Sequence, residues 1–129
     1  MGLHLVDLYR SPNIGIFLKA NDKVILVPKG VAGSKAERLA TDLEVLLCYT
    51  SVGGTRLLGP LVAMNNKGVL VSRMAEDYEI QEISSKTGLK VERLQSRFTA
   101  VGNLVAANDH GAVVSPVLEQ HAEIGRAHV

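Results

Sequence analysis

The chain carries one thiol, Cys48, four histidines and several Asn-Asp or Asn-Asn pairs, the groups with which chemistry would start. A cysteine nucleophile needs a base and an acidic group beside it to become a thiolate. Cys48 stands instead in Leu46-Leu-Cys-Tyr49, an apolar strand pattern in which cysteine behaves as a small buried hydrophobe. His4 and His110 have no catalytic setting, and His121 and His128 fall near the end of the chain. No metal-ligand spacing, phosphate loop or serine elbow occurs, so neither a metal nor another cofactor is expected. What remains is recognition chemistry. Asn65, Asn66 and Lys67 stand together, with Asn21-Asp-Lys23 and Asn108-Asp-His110 in like positions. An asparagine amide donates and accepts at once, and a lysine adds a cation.

The elements that must position these residues follow from an internal repeat. Gly15, Gly59 and Gly102 each follow an aliphatic residue and are spaced by 44 and 43 residues. Six positions after each glycine stands Asn21, Asn65 or Asn108, and twelve positions after it Val27, Val71 or Val114. Two aliphatic runs flank each Asn-containing turn, a hairpin signal, because Asn, Asp and Gly tolerate the backbone of a tight turn. A helix should follow. In the first unit Ser34 and Glu37 fit a capping box, with Ala36, Leu39, Ala40 and Leu43 at helical spacing. In the second, Ile80 and Ile83 take the offsets of Ala36 and Leu39, Glu76, Asp77 and Glu79 suit the helix start, and Gly88 suits its end. Val45 and Leu47, then Leu89 and Val91, predict a third strand in each unit. The unit reads strand–strand–helix–strand over about 44 residues.

Composition excludes several functions. Fourteen Lys and Arg against 13 Asp and Glu leave a net charge of +1, which argues against a binder that works by bulk attraction to nucleic acid. Aromatic residues make up 4% with no Trp, too few for base-stacking platforms. One cysteine excludes an internal disulfide framework and fits a reducing compartment. No apolar run approaches the ~18 residues of a membrane span, and residues 1–10 lack a signal-peptide layout, so the expectation is a cytoplasmic protein.

The third unit starts at Gly102, and its helix is due near position 123, where the sequence reads Glu-Ile-Gly-Arg-Ala-His-Val129. One frame of a common short-read sequencing adapter translates as Ile124 to Val129. Residues 123–129 are therefore expected to be a non-native tail, with the natural protein continuing past about Ala122. On that reading 1–122 is an incomplete domain with repeats at about 11–54, 55–98 and 99–122. Open strand edges and half-covered apolar faces should then make it unstable or sticky.

The segments Ser11-Pro-Asn-Ile-Gly15, Thr55-Arg-Leu-Leu-Gly59, Met64-Asn-Asn-Lys-Gly-Val-Leu-Val71, Thr99-Ala-Val-Gly-Asn103 and Ala107-Asn-Asp-His-Gly-Ala-Val-Val-Ser-Pro116 closely resemble archaeal and eukaryotic translation initiation factor 6. The resemblance covers about residues 5–118 and is closer to archaeal members. It implies an α/β pentein fold, a ring of five such units, of which this chain would supply about two and a half. It also implies a ribosome anti-association factor without enzymatic activity. Members bind the intersubunit face of the large ribosomal subunit beside the sarcin–ricin loop, chiefly through a ribosomal protein with some contact to rRNA. They thereby block joining of the small subunit, and in eukaryotes act in large-subunit maturation. No membrane and no small-molecule substrate is implied.

By matching motif, the resemblance points to Asn65, Asn66, Lys67 and Asn103 as ribosome-binding residues, with Arg56 a weaker candidate. A competing reading has repeat-locked asparagines bonding their own turn, and it leads for Asn21 and Asn108. For Asn65 the two readings stand level, and Asn103, outside the turn register, favours the functional one. Pro60 replaces a residue that is often basic in the family, which weakens any role for charge there. Gly15, Gly59 and Gly102 read as backbone requirements. The pentein fold also hosts guanidine-modifying enzymes with a cysteine nucleophile, so Cys48 carries the enzymatic alternative. A plain protein-interaction module is the other.

Overall fold

Strands β1 (Lys19–Ala20) and β2 (Val24–Pro28) pair antiparallel around the Asn21 turn in the computed structural model, which describes residues 2–118. The Asn21 side-chain oxygen accepts the N–H groups of Lys23 and Val24 at 2.8 and 2.7 Å, fixing the reversal. Helix α1 (Gly33–Leu43) then carries the chain across to β3 (Leu46–Thr50), which lies parallel beside β2 with Val24 opposite Leu46. All five residues of β2 are buried, as expected of a strand paired on both edges and covered on both faces.

The second unit repeats this order. A short helix α2 (Leu58–Leu61) leads into β4 (Val62–Met64), antiparallel to β5 (Gly68–Val71), and α3 (Asp77–Thr87) returns the chain to β6 (Lys90–Arg93), parallel to β5. The third unit contributes α4 (Val101–Leu104) and the antiparallel pair β7 (Val105–Asn108) and β8 (Gly111–Val114). The helix expected near position 123 and the proposed tail lie outside the described residues. The described chain is thus mixed α/β, in three small sheets.

Two local expectations need correction. Ser34 does not cap α1: the cap position is Ala32, which offers no side-chain acceptor, and Ser34 lies inside the first turn. Leu43, at the helical spacing of core residues, is exposed because α1 ends there. The capping box is found in α3 instead, formed reciprocally by Glu76 and Glu79, and Gly88 ends that helix at φ 71°. The sequence also gave no sign of the helical turns at Ile14–Ile16, Leu58–Leu61 and Val101–Leu104, which hold the repeat glycines.

At the end of α1 the left-handed position is taken by the exposed Glu44, φ 57°. A side chain there costs about 1 kcal/mol relative to glycine. Glu44→Gly is expected to raise stability by about 0.5–1 kcal/mol in urea unfolding. A loss of stability would contradict this account of the helix end.

Two of the three apolar cores straddle a boundary between units. Val24, Leu26 and Cys48 of the first unit pack with Leu58, Val62, Val69 and Ile83 of the second. Ala63, Leu70 and Leu94 of the second pack with Val101 and Val105 of the third. The third core joins Ile25, Val27, Ala36 and Leu39 to Leu8 from the N-terminal segment.

Candidate functional site

The three turns line up side by side. Asn65 holds its own turn as Asn21 does, accepting the N–H groups of Lys67 and Gly68 at 2.8 and 2.9 Å, and Asn108 accepts those of His110 and Gly111. The other end of each amide reaches across the boundary. Asn21 Nδ2 donates to the carbonyl of Asn65 at 2.9 Å, and Asn65 Nδ2 to that of Asn108 at 3.0 Å.

A second row runs alongside. The N–H of Asp22 donates to Asn66 Oδ1, and the N–H of Asn66 to Asp109 Oδ1, both at 2.8 Å. Asn66 Nδ2 lies between the carboxylates of Asp22 and Asp109, at 2.8 and 2.9 Å. These bonds from the Asn66 amide and N–H hold the Asp109 carboxyl below its usual range, with Lys67 and His110 adding to the effect. The amide is what lets two acidic side chains flank one point: a carboxylate at 66 would place three together.

The candidate residues therefore differ in what they can offer a partner. Asn65 is only 5% exposed and its amide is engaged inside the chain at both ends. Asn66 is half-buried and bonded to both neighbouring turns, whereas Lys67 is exposed at the turn tip. Asn103 is exposed in α4, at the far end of β7 from its turn. Arg56 is exposed in the matching region before α2, its guanidinium 4.3 Å from the centre of the Tyr9 ring. The structure brings Asn65, Asn66 and Lys67 into one hydrogen-bonded strip with the turns of the other units. Asn103 and Arg56 stand apart from it, beyond the opposite ends of β7 and β4.

Glu79 is the residue whose role was not foreseen. Its carboxylate is fully buried and accepts from Ser51 Oγ at 2.6 Å and from the N–H groups of Gly53, Gly54 and Glu76 at 2.8–3.0 Å. Burial alone would raise its pKa; the four hydrogen bonds outweigh that and hold the carboxyl below its ordinary range. It fastens the second unit's helix to the loop that leaves the first unit's sheet. The signal available was a Glu at the third position of a helix preceded by Glu76, with Gly53-Gly54 upstream to supply open N–H groups.

Cys48 is fully buried, and burial pushes its thiol up from the usual value. It packs with Val24, Leu26 and Ile83, the setting of a small hydrophobe. Among the described residues no group of three or more His, Cys, Asp or Glu is arranged to hold a metal ion, and no helix is long and apolar enough to cross a membrane.

The sequence matches the eIF-6 family over residues 3–125. It is 47% identical over 114 residues to translation initiation factor 6 of Nitrosopumilus maritimus, covering 88% of this chain and 52% of that protein. To translation initiation factor 6 of Cenarchaeum symbiosum it is 44% identical over 117 residues, covering 91% and 53%. With eukaryotic translation initiation factor 6 of Talaromyces stipitatus the identity is 32% over 117 residues, covering 88% and 47%. The chain thus spans about half the length of the curated relatives it matches. With a match across nearly all of its residues, and higher identity to the archaeal than to the eukaryotic relatives, the chain belongs to the eIF-6 family of translation initiation factors.

Proposed function

We propose that this chain is part of a ribosome anti-association factor. It binds the intersubunit face of the large ribosomal subunit in the cytoplasm, through a ribosomal protein near the sarcin–ricin loop with some contact to rRNA, and blocks joining of the small subunit by occupying its place. The observation that carries this reading is membership of the family along nearly the whole chain. No bond is made or broken in such a mechanism. The protein need only present a rigid, complementary surface, and side chains held by their own turns lose little freedom on binding. The turn strip, with the exposed Lys67 at its tip and Asn66 fixed behind it, fits that requirement. A near-neutral net charge fits docking chiefly on protein.

We further propose that residues 1–122 form part of a five-unit pentein ring, with units at about 11–54, 55–98 and 99–122 and residues 123–129 non-native. Two strand–strand–helix–strand units and the opening strands of a third, joined by repeating contacts, support that arrangement. A role in large-subunit maturation is compatible with the same docking surface.

The test is co-sedimentation with purified large and small subunits, followed by a subunit-joining assay. Binding to large subunits with fewer joined ribosomes is expected; binding to small subunits alone would overturn the proposal. Lys67→Glu is expected to weaken large-subunit binding about tenfold, chiefly through the association rate, and Asn103→Ala about threefold. Cys48→Ala should leave anti-association unchanged, whereas under the enzymatic reading it would abolish the enzymatic activity. It does remove a buried side-chain atom, at about 1 kcal/mol of stability.

A further inference from the structure

A net charge of +1 hides an uneven distribution between the two ends of the sheets. Strands β2 and β3 run parallel, as do β5 and β6, and the turns at Asn21 and Asn65 lie side by side across the seam between units. The loops that leave these four strands therefore share the end opposite the turns. Their residues 29–32, 51–57, 72–75 and 94–100, with the bridged turn 8–11, include Lys29 and four arginines, Arg10, Arg56, Arg73 and Arg97, and no Asp or Glu. At the turn end the signs are mixed: Lys23, Lys67 and His110 stand beside Asp22 and Asp109. Acidic groups bordering the loops are engaged. Glu79 and Glu76 form the capping box of α3, Asp77 holds Arg93 at 2.8 Å, and Glu82 holds Lys29 at 3.2 Å. Arg10, Arg56 and Arg73 are exposed, and among the described residues none of them makes a hydrogen bond or an ion pair. Helices α1 and α3 both begin at this end, which adds the positive ends of their dipoles.

One of these loops is strained in a way that serves the arginines. The turn from Leu8 to Ser11 repeats, 44 residues earlier, the turn from Val52 to Thr55. The later turn uses Gly53 and Gly54 at φ 61° and 72°, whereas the earlier one holds Tyr9 and Arg10 at φ 53° and 61°. Each of these non-glycine residues costs about 1 kcal/mol in that conformation, a strain that goes with a use for the side chains presented. Tyr9 lies on Gly30, where an added side chain would stand 3.1 Å from its hydroxyl; the equivalent position in the second unit is Met74, packed against Gly53. Phe17 meets the Tyr9 ring edge-on at 4.9 Å, and the Arg56 guanidinium lies over that ring at 4.3 Å. Arg97 lies likewise over Phe98, at 5.0 Å. Gly54, the counterpart of Arg10, is exposed although a unit flanks it on each side, so exposure belongs to this turn position itself.

We propose that this loop end binds the phosphate backbone of RNA, with Arg10, Arg56 and Arg73 pairing with phosphates and Arg56, braced by Tyr9, stacking on an unpaired base. A planar guanidinium matches phosphate through its fork of N–H groups and a base through its face, and an aromatic brace fixes it for both. Identifying the RNA as ribosomal rests on the ribosomal reading above; the phosphate chemistry does not. On that reading rRNA is met at the end of the sheets opposite Lys67, so the turn strip is left to dock on protein.

Fluorescence anisotropy of a short labelled oligouridine with the 129-residue chain tests this without a ribosome. A Kd of about 10 µM at low salt is expected, with log affinity falling against log salt at a slope of about −2 for three phosphates. Arg10→Gln/Arg73→Gln should weaken binding about tenfold and bring the slope to about −0.7. Lys23→Gln/Lys67→Gln removes the same charge from the turn end and should change little. Arg56→Lys should leave the slope unchanged and still weaken binding about threefold, because the charge stays and the braced plane is lost. All five positions are exposed, and circular dichroism checks that the fold is kept. Absence of binding, equal losses in the two double variants, or displacement by polyglutamate as effective as by unlabelled RNA would overturn the proposal. RNA binding that persists in a chain unable to co-sediment with large subunits would support it and refute the ribosomal reading alone.

Discussion

Gly59→Ala is expected to cost on the order of 3 kcal/mol or more, a large fraction of the stability of a chain of this size. A methyl group on Gly59 would run into the carbonyl oxygen of Gly15, with the carbonyl carbons of Gly15 and Ile16 close behind. The obstacle is backbone, so no rotamer change relieves it; the two units must part. Parting them opens the core in which Val24 and Leu26 meet Leu58 and Val62 and strains the bond from Asn21 to the Asn65 carbonyl. Gly102→Ala meets the Gly59 and Val62 carbonyls and should behave alike, while Gly15→Ala should shift the unfolding midpoint little. Equal effects at all three glycines in urea unfolding would rule out the seam as the cause and point to backbone flexibility instead.

Glu79→Ala is the second large effect, at about 3–5 kcal/mol. It leaves the Ser51 hydroxyl and the N–H groups of Gly53, Gly54 and Glu76 without their acceptor, beside an apolar core. The pH dependence follows from the direction of the shift. The folded carboxyl titrates below its unfolded value of about 4.3, so the stabilisation is present in full above that value and is lost as pH falls through the folded pKa. Natural chain and Glu79→Gln should therefore converge in stability from about pH 4.3 downward. Parallel curves across that range would show that Glu79 is not the group responsible.

The sequence pattern was most legible where backbone chemistry repeats. The glycine–asparagine–valine register located all three hairpins, because a tight turn and a buried strand leave few residue choices. Helix α3 announced itself through acidic residues at its start and Gly88 at its end; α1 was legible from the spacing of Ala36, Leu39 and Ala40, but its start was not, since Ser34 looks like a cap and sits past the start of the helix. Contacts between units were hidden because their chemistry varies from one boundary to the next. Lys35 with Asp7 and Glu79 with Ser51 occupy the same place with opposite polarity, which no single pattern links. Asn65 was readable as a turn residue or a binding residue; its third role, donating across the seam, depends on a strand 43 residues away.

The placement of two of the three cores between units bears on how the molecule breathes. Nearest-neighbour coupling of this kind makes opening start at the ends and travel inward. Amide hydrogen exchange should accordingly be slowest in β5, which the second unit's helix and both neighbouring units cover, and faster in β7 and β8. The second unit is the only described one sheltered on both sides. Its protection is borrowed from its neighbours, and excised alone it should have no slow-exchanging amides at all.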